Sequence, residues 1–111
     1  MIEYDVSNGE DGISVIAPRG RVTVVTARRL KDLIAELVAG GSARLVIDMS
    51  ETTFLDSSGL GALIAGLKTA RQAGGDLRIA RPSEAVQMVL EMTNIDKVLQ
   101  PRESVTGAFD A

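Results

Sequence analysis

The sequence predicts an α/β domain built on a mixed, mostly parallel β-sheet with packed helices, and three observations carry that reading. Two alternating apolar segments separated by a turn-rich stretch open the chain, and strands then alternate with amphipathic helices. The resulting order, ββαβαβα plus short terminal β and α elements, makes neighbouring strands parallel through right-handed crossovers everywhere except in the first hairpin. A length of 111 residues, with 45% apolar and 24% charged, suits one compact core. No repeat, low-complexity segment or linker divides the chain, so residues 1–111 are expected to form a single domain.

In the hairpin, Ile2, Tyr4 and Val6 alternate with polar residues, Ser7 to Gly12 is dense in turn formers, and Ile13, Val15 and Ala17 alternate again before Pro18. From Thr26 the period becomes helical. Ala27, Leu30, Ile34, Leu37 and Val38 share a face with Leu33 beside it, and Gly40-Gly41 ends the helix after Ala39. The stretch "ARLVIDMS" is short and apolar in its middle, as a strand buried on both faces requires. A second helix then shows Leu60, Leu63, Ile64 and Leu67 on one side and stops at Gly74-Gly75. "DLRIAR" reads as the next strand. Ser83 is placed to cap a third helix whose apolar set is Val86, Val89 and Leu90, extended by Met88 and Met92. A short strand near Lys97 to Leu99 and a last helix near Glu103 to Phe109 complete the pattern.

Composition excludes much chemistry. With no cysteine and no histidine, disulfides, thiolate nucleophiles, imidazole bases and the usual zinc and iron ligands are all absent. The net charge is −3, and the basic residues are scattered: Arg19 and Arg21, Arg28 and Arg29, Arg78 and Arg81. Tyr4, Phe54 and Phe109 are the only aromatics. Nucleic acid would need a basic stripe or a stacking platform, so no direct nucleic-acid partner is expected. No apolar run approaches the roughly 18 residues of a spanning helix. The acidic opening, MIEYDVSNGE, has no basic segment leading into an apolar run. A cytoplasmic protein that engages no membrane is therefore expected.

The segment "FLDSSGLGALIAGLK", Phe54 to Lys68, is the part of the chain that asks for an explanation. Asp56 suits a helix cap, accepting from the first free amides. Gly59, Gly61 and Gly66 each cost roughly 1 kcal/mol relative to alanine inside a helix. Gly59, Ala62 and Gly66 form a small-residue stripe, explained either by close packing of helix on sheet or by a partner lying against the helix start. Ser57 or Ser58 as a nucleophile would need a base, and without histidine only Lys31, Lys68 or Lys97 could serve, each in a solvated stretch. The stretch also lacks the glycine spacing and lysine of a phosphate-cradling loop. A serine that accepts phosphate from another enzyme fits instead, because amides and dipole at a helix start tolerate the added charge without melting the helix.

These residues carry a resemblance. "VIDMSETTFLDSSGLGALIAGLKTARQAGGDLRIA" resembles the central segment of STAS-domain anti-sigma factor antagonists, in which a strand ending in aspartate leads to an apolar-Asp-Ser-Ser/Thr/Ala-Gly-Leu-Gly stretch. "GRVTVVTARRLKDLI" is similar to the family's glycine-led loop and first helix, and "MTNIDKVLQ" to the end of its third. The resemblance implies a STAS-like fold and a partner switch in which this chain is not an enzyme and needs no cofactor. The unmodified antagonist would bind an anti-sigma factor that is also a serine kinase with a histidine-kinase-like ATPase fold. Phosphorylation of the first serine after the aspartate, here Ser57, would abolish binding, and a metal-dependent serine phosphatase would restore it. The implied partner-binding residues are Thr23, Val24, Val25 and Thr26 of the glycine-led loop, with Asp56, Ser57, Ser58, Gly59, Leu60 and Gly61. The other role the resemblance allows is a STAS scaffold or regulatory module in another signalling or transport assembly.

The chain departs from the family pattern in two places. Thr23 stands where an acidic residue is common, beside Val24 and Val25, which either extend the preceding strand into the core or meet a partner. Asn94 stands where relatives often have glycine, and it is expected to adopt the same left-handed conformation at a helix end.

Overall fold

The computed structural model describes residues 3–8, 12–99, 101 and 102. The chain runs β1 (Glu3–Asn8), β2 (Ile13–Val22), α1 (Val24–Ala39), β3 (Arg44–Asp48), β4 (Thr52–Leu55), α2 (Ser57–Gln72), β5 (Asp76–Ala80), α3 (Glu84–Met92) and α4 (Asp96–Leu99). β1 and β2 form the expected antiparallel hairpin, in register from Glu3 opposite Arg19 to Asn8 opposite Ser14. The other pairings are parallel. The sheet order is β1-β2-β3-β5, with β4 added to β2.

The ten-residue β2 organises this sheet by serving two parallel neighbours in turn. Its first half pairs with β3, Ile13 to Ile16 against Arg44 to Ile47, and its end pairs with β4, Val22 lying opposite Leu55. The register shifts between Gly20 and Arg21, and Gly20 has φ +103°, a left-handed conformation that glycine adopts without the steric cost of a Cβ.

β3 is sandwiched, and Leu45, Val46 and Ile47 are fully buried, as the continuous apolar run predicts. Leu45 and Ile47 join the main core with Leu30 and Ile34 of α1, Leu63 and Leu67 of α2, Val86 and Leu90 of α3, and Leu99 of α4. Val46 points the other way and meets Val15 and Ala80 in a smaller buried group. Asp76 ties β5 to α2 through Arg71 at 3.1 Å and also pairs with Arg78 of its own strand at 3.2 Å. Burial pushes its carboxyl up, but the Leu77 amide and the two guanidiniums outweigh that and hold it below its ordinary range.

Several elements differ from the sequence reading. β4 is an additional strand, so the order is ββαββαβα before the terminal turn. Only four residues long and with Thr53 and Phe54 exposed, it has no apolar alternation to reveal it. The stretch near Lys97 to Leu99 is helix α4 rather than a strand. Asn94 turns the chain with φ +59°, as its place at a helix end predicts, and the amides of Val98 and Leu99 then donate to the Ile95 carbonyl at 2.9 Å, closing a helical turn. The expected final helix near Glu103 to Phe109 lies outside the described residues.

On α2 the deepest face is the small-residue stripe with Leu63 and Leu67, while Leu60 and Ile64 are half-buried at its margin. A Cβ on Gly66 would stand 2.6 Å from Cδ1 of Ile34 and 3.1 Å from Cδ1 of Leu77, so its absence lets α2 settle against α1 and β5. Ser83 caps α3 as expected, accepting from the Val86 amide at 3.3 Å. Met88 and Met92, however, face outward on α3, at 56% and 77% exposure.

Candidate functional site

Two helices begin side by side at one edge of the sheet. Because Val22 and Leu55 are paired strand ends, Thr23 and Asp56, the residues preceding α1 and α2, become neighbours. The Asp56 amide donates to the Val22 carbonyl at 3.3 Å and fixes the two starts to each other. Unsatisfied amides and the positive ends of both helix dipoles therefore gather here.

The α2 start is rigid beneath and open above. Asp56 is extended, and its Oδ1 accepts from the Gly59 amide at 3.0 Å, so its carboxylate acts as the cap. Gly59 is buried, with no room for a Cβ against Leu55 and with the Val22 carbonyl oxygen 3.0 Å from where it would stand. The glycine there is a packing requirement of this chain. Ser57, the first helical residue, is exposed, and Ser58 is half-buried.

Gly61 behaves differently from its neighbours. It is exposed, and among the described residues nothing lies within 4 Å of the place a Cβ would occupy. A helical glycine that costs roughly 1 kcal/mol relative to alanine has no packing reason among the described residues.

The α1 start explains why the helix begins at Val24 rather than Thr26. The Thr23 amide donates to Thr26 Oγ1 at 2.8 Å, and the Thr26 hydroxyl lies 3.0 Å from the Arg21 carbonyl. This closes the first turn ahead of the apolar periodicity. Val24 and Val25 therefore occupy a helical turn at 68% and 78% exposure, and they do not extend β2 into the core. On the strand leading to Asp56, the Arg21 guanidinium sits 4.4 Å from the centre of the Phe54 ring.

An open groove of about 460 Å³ runs between α1 and α2. Ala27 and Ala62 are its buried lining, Val24, Ser58 and Gly61 face it, and Arg28, Lys31 and Asp32 supply its charges. Of the residues implied by the sequence, the edge presents Val24, Val25, Ser57, Ser58 and Gly61 as surface. Thr23 and Asp56 sit beneath as helix starts, Thr26 is committed to the first turn, and Gly59 and Leu60 pack inward. The sequence names Arg28 only as one of several scattered basic residues and Lys31 only as a possible base, and it points to neither as part of a groove. Their spacing of four and seven from Val24, on the margin of the buried face of α1 beside Ala27, is the signal that finds them.

The STAS domain profile matches residues 6–108. The chain belongs to the STAS domain family. Among STAS relatives, the anti-sigma-F factor antagonist RsfB of Mycobacterium tuberculosis is 31% identical over 93 residues, which are 81% of this chain and 73% of that protein. The crystal structure of an anti-sigma factor antagonist from Mycobacterium paratuberculosis superposes with a TM-score of 0.85 at 30% identity, covering 97% of this chain and 91% of that one. The Bacillus cell fate determinant SpoIIAA, solved in its phosphorylated form, shares the fold with a TM-score of 0.75 at 15% identity, over 97% of each chain. Among the described residues of this STAS chain, no helix is long and apolar enough to cross a membrane.

Proposed function

We propose that this STAS domain is an anti-sigma factor antagonist whose docking is controlled by phosphorylation of Ser57. The observation that carries the reading is the exposed Ser57 at the start of α2, on the same edge as the exposed Val24 and Val25 of α1. Relatives named as anti-sigma factor antagonists support it. The partner is an anti-sigma factor that is also a serine kinase with a histidine-kinase-like ATPase fold, and a metal-dependent serine phosphatase reverses the modification. The chemistry belongs to those partners, and the exchange takes place in the cytoplasm.

The site's construction favours a switch that acts on docking rather than on folding. Asp56 holds the cap, Gly59 and Leu60 anchor the turn, and Ser57 takes part in neither. A phosphate there adds about −1.5 to −2 charge at neutral pH beside free amides that favour it. The same charge must be desolvated when a partner covers the edge, and it opposes association unless the partner supplies compensating groups.

Peptide mapping after phosphorylation by the cognate kinase tests the assignment. Phosphate is expected on Ser57, with Ser57→Ala abolishing incorporation and Ser58→Ala retaining it. Phosphate found mainly on Ser58 would overturn it. A second expectation concerns Gly61. Gly61→Ala has open space on the helix and is expected to stabilise the fold by roughly 0.5–1 kcal/mol. The methyl projects into the groove surface, so the same variant is expected to bind the anti-sigma factor more weakly. A higher melting temperature with unchanged affinity would remove the groove from the docking surface.

A further inference from the structure

Two surfaces of this chain are complementary to each other and cannot both be accounted for by one docking edge. The first is the α1–α2 groove, with apolar Val24 and Ala27, open Gly61, and the cations Arg28 and Lys31 against a single acid, Asp32. The second is the outer face of α3. Glu84, Met88, Glu91 and Met92 recur there at spacings of three and four, so they share one side of the helix, opposite the buried Val86 and Leu90. Of the seven large apolar side chains exposed among the described residues, Val24 lines the groove, Val25 follows it in the first turn of α1, and Met88 and Met92 lie on α3. None of Arg28, Lys31, Glu84 and Glu91 is paired with an opposite charge among the described residues. Each surface thus carries apolar area and, among the described residues, net charge of opposite sign.

We infer that the α1–α2 groove takes the acidic methionine face of α3 from a second copy of this chain. A helix laid in a groove is anchored at positions three and four apart, which is the spacing of the α3 face. Unbranched methionine fits an irregular groove better than a β-branched side chain does, and Gly61 leaves the groove open where such a side chain would enter. The two surfaces belong to different elements, so each copy offers one to a neighbour and accepts with the other, a heterologous contact. Ser58 lines the same groove, and self-association therefore covers the proposed docking edge and competes with the anti-sigma factor. The unmodified protein alone is sufficient to test this, whatever the fate of the phosphorylation reading.

Sedimentation of the unmodified protein from about 10 µM to about 1 mM at low salt, the range of weak interfaces, reads the contact. The average mass is expected to rise with concentration and to fall back in about 0.5 M salt, where screening shortens to a few ångströms. The double variant Arg28→Glu/Lys31→Glu makes both surfaces acidic, and Glu84→Lys/Glu91→Lys makes both basic. Each is expected to stay monomeric alone, and an equimolar mixture of the two is expected to associate again. All four positions are exposed, so circular dichroism should match the wild type; Met92→Ala, with no charge change, is expected to weaken the wild-type association. A wild type that stays monomeric at about 1 mM, association insensitive to both reversals, or a mixture that fails to associate would each overturn the inference.

Discussion

Leu67→Ala is expected to lower the unfolding free energy by about 2–5 kcal/mol. Leu67 is 3% exposed on the face of α2 that lies on the sheet, in one cluster with Leu30, Ile34, Leu45 and Leu77. Truncation removes its transfer free energy and leaves a cavity that little can fill. The adjoining residues on α2 are Gly66, with no side chain to move, and Ala70, which is already fully buried. For a domain of this size each kcal/mol shifts the melting temperature by roughly 4–8 °C, so a denaturant or thermal titration resolves the effect easily. A loss below about 1 kcal/mol would mean that the packed face of α2 lies elsewhere.

Phosphorylation of Ser57 is expected to weaken binding of the anti-sigma factor by at least about 100-fold, near 2.7 kcal/mol, while leaving the fold intact. Two terms of different size decide this. In the free protein the phosphate stands exposed at a helix N-terminus, where an anion is worth only a few tenths to about 1 kcal/mol in favour of the helix. In the complex the same group must shed water, and burying a charge without paired donors costs several kcal/mol. Ser57→Asp follows the same signs with smaller magnitude, because a carboxylate carries one charge and fewer acceptor oxygens. Ser57→Ala is expected to fold and bind while escaping the kinase.

Much of the architecture was legible because local signals agreed with tertiary demands. The stop at Gly40-Gly41, the cap at Ser83 and the left-handed Asn94 each name a backbone event that the chain performs. β4 was not legible, since its identity comes from pairing with the far end of β2 beyond the Gly20 irregularity, a contact between residues over thirty positions apart. α4 read as a strand because an apolar pair is too short to show a period, and the turn at Asn94 and Ile95 decides its conformation.

The site divides in the same way. Asp56 as cap and Ser57 as an exposed first residue follow from the local pattern of acid, serine and glycine. The three glycines of α2 looked alike in sequence and differ in space: Gly59 and Gly66 are held against Leu55, Val22, Ile34 and Leu77, whereas Gly61 faces open space. Val24 and Val25 read equally well as core or surface until the Thr23–Thr26 hydrogen bond starts α1 beneath them. The groove and its cations depend on how α1 meets α2, which no single segment encodes.

The phosphorylation switch stands or falls on a paired titration and melt of four proteins: unmodified, Ser57→Ala, Ser57→Asp and enzymatically phosphorylated. Each is titrated into the purified anti-sigma factor by calorimetry and melted alone under the same buffer. The expected result is tight binding by the unmodified protein and Ser57→Ala, weakened binding by Ser57→Asp, and loss of about 100-fold or more on phosphorylation, with all four melting within a few degrees of one another. Affinity that is unchanged by both Ser57→Asp and genuine phosphorylation would contradict the switch, and collapse of the melting temperature in Ser57→Asp would contradict the exposed placement of Ser57 on which it rests.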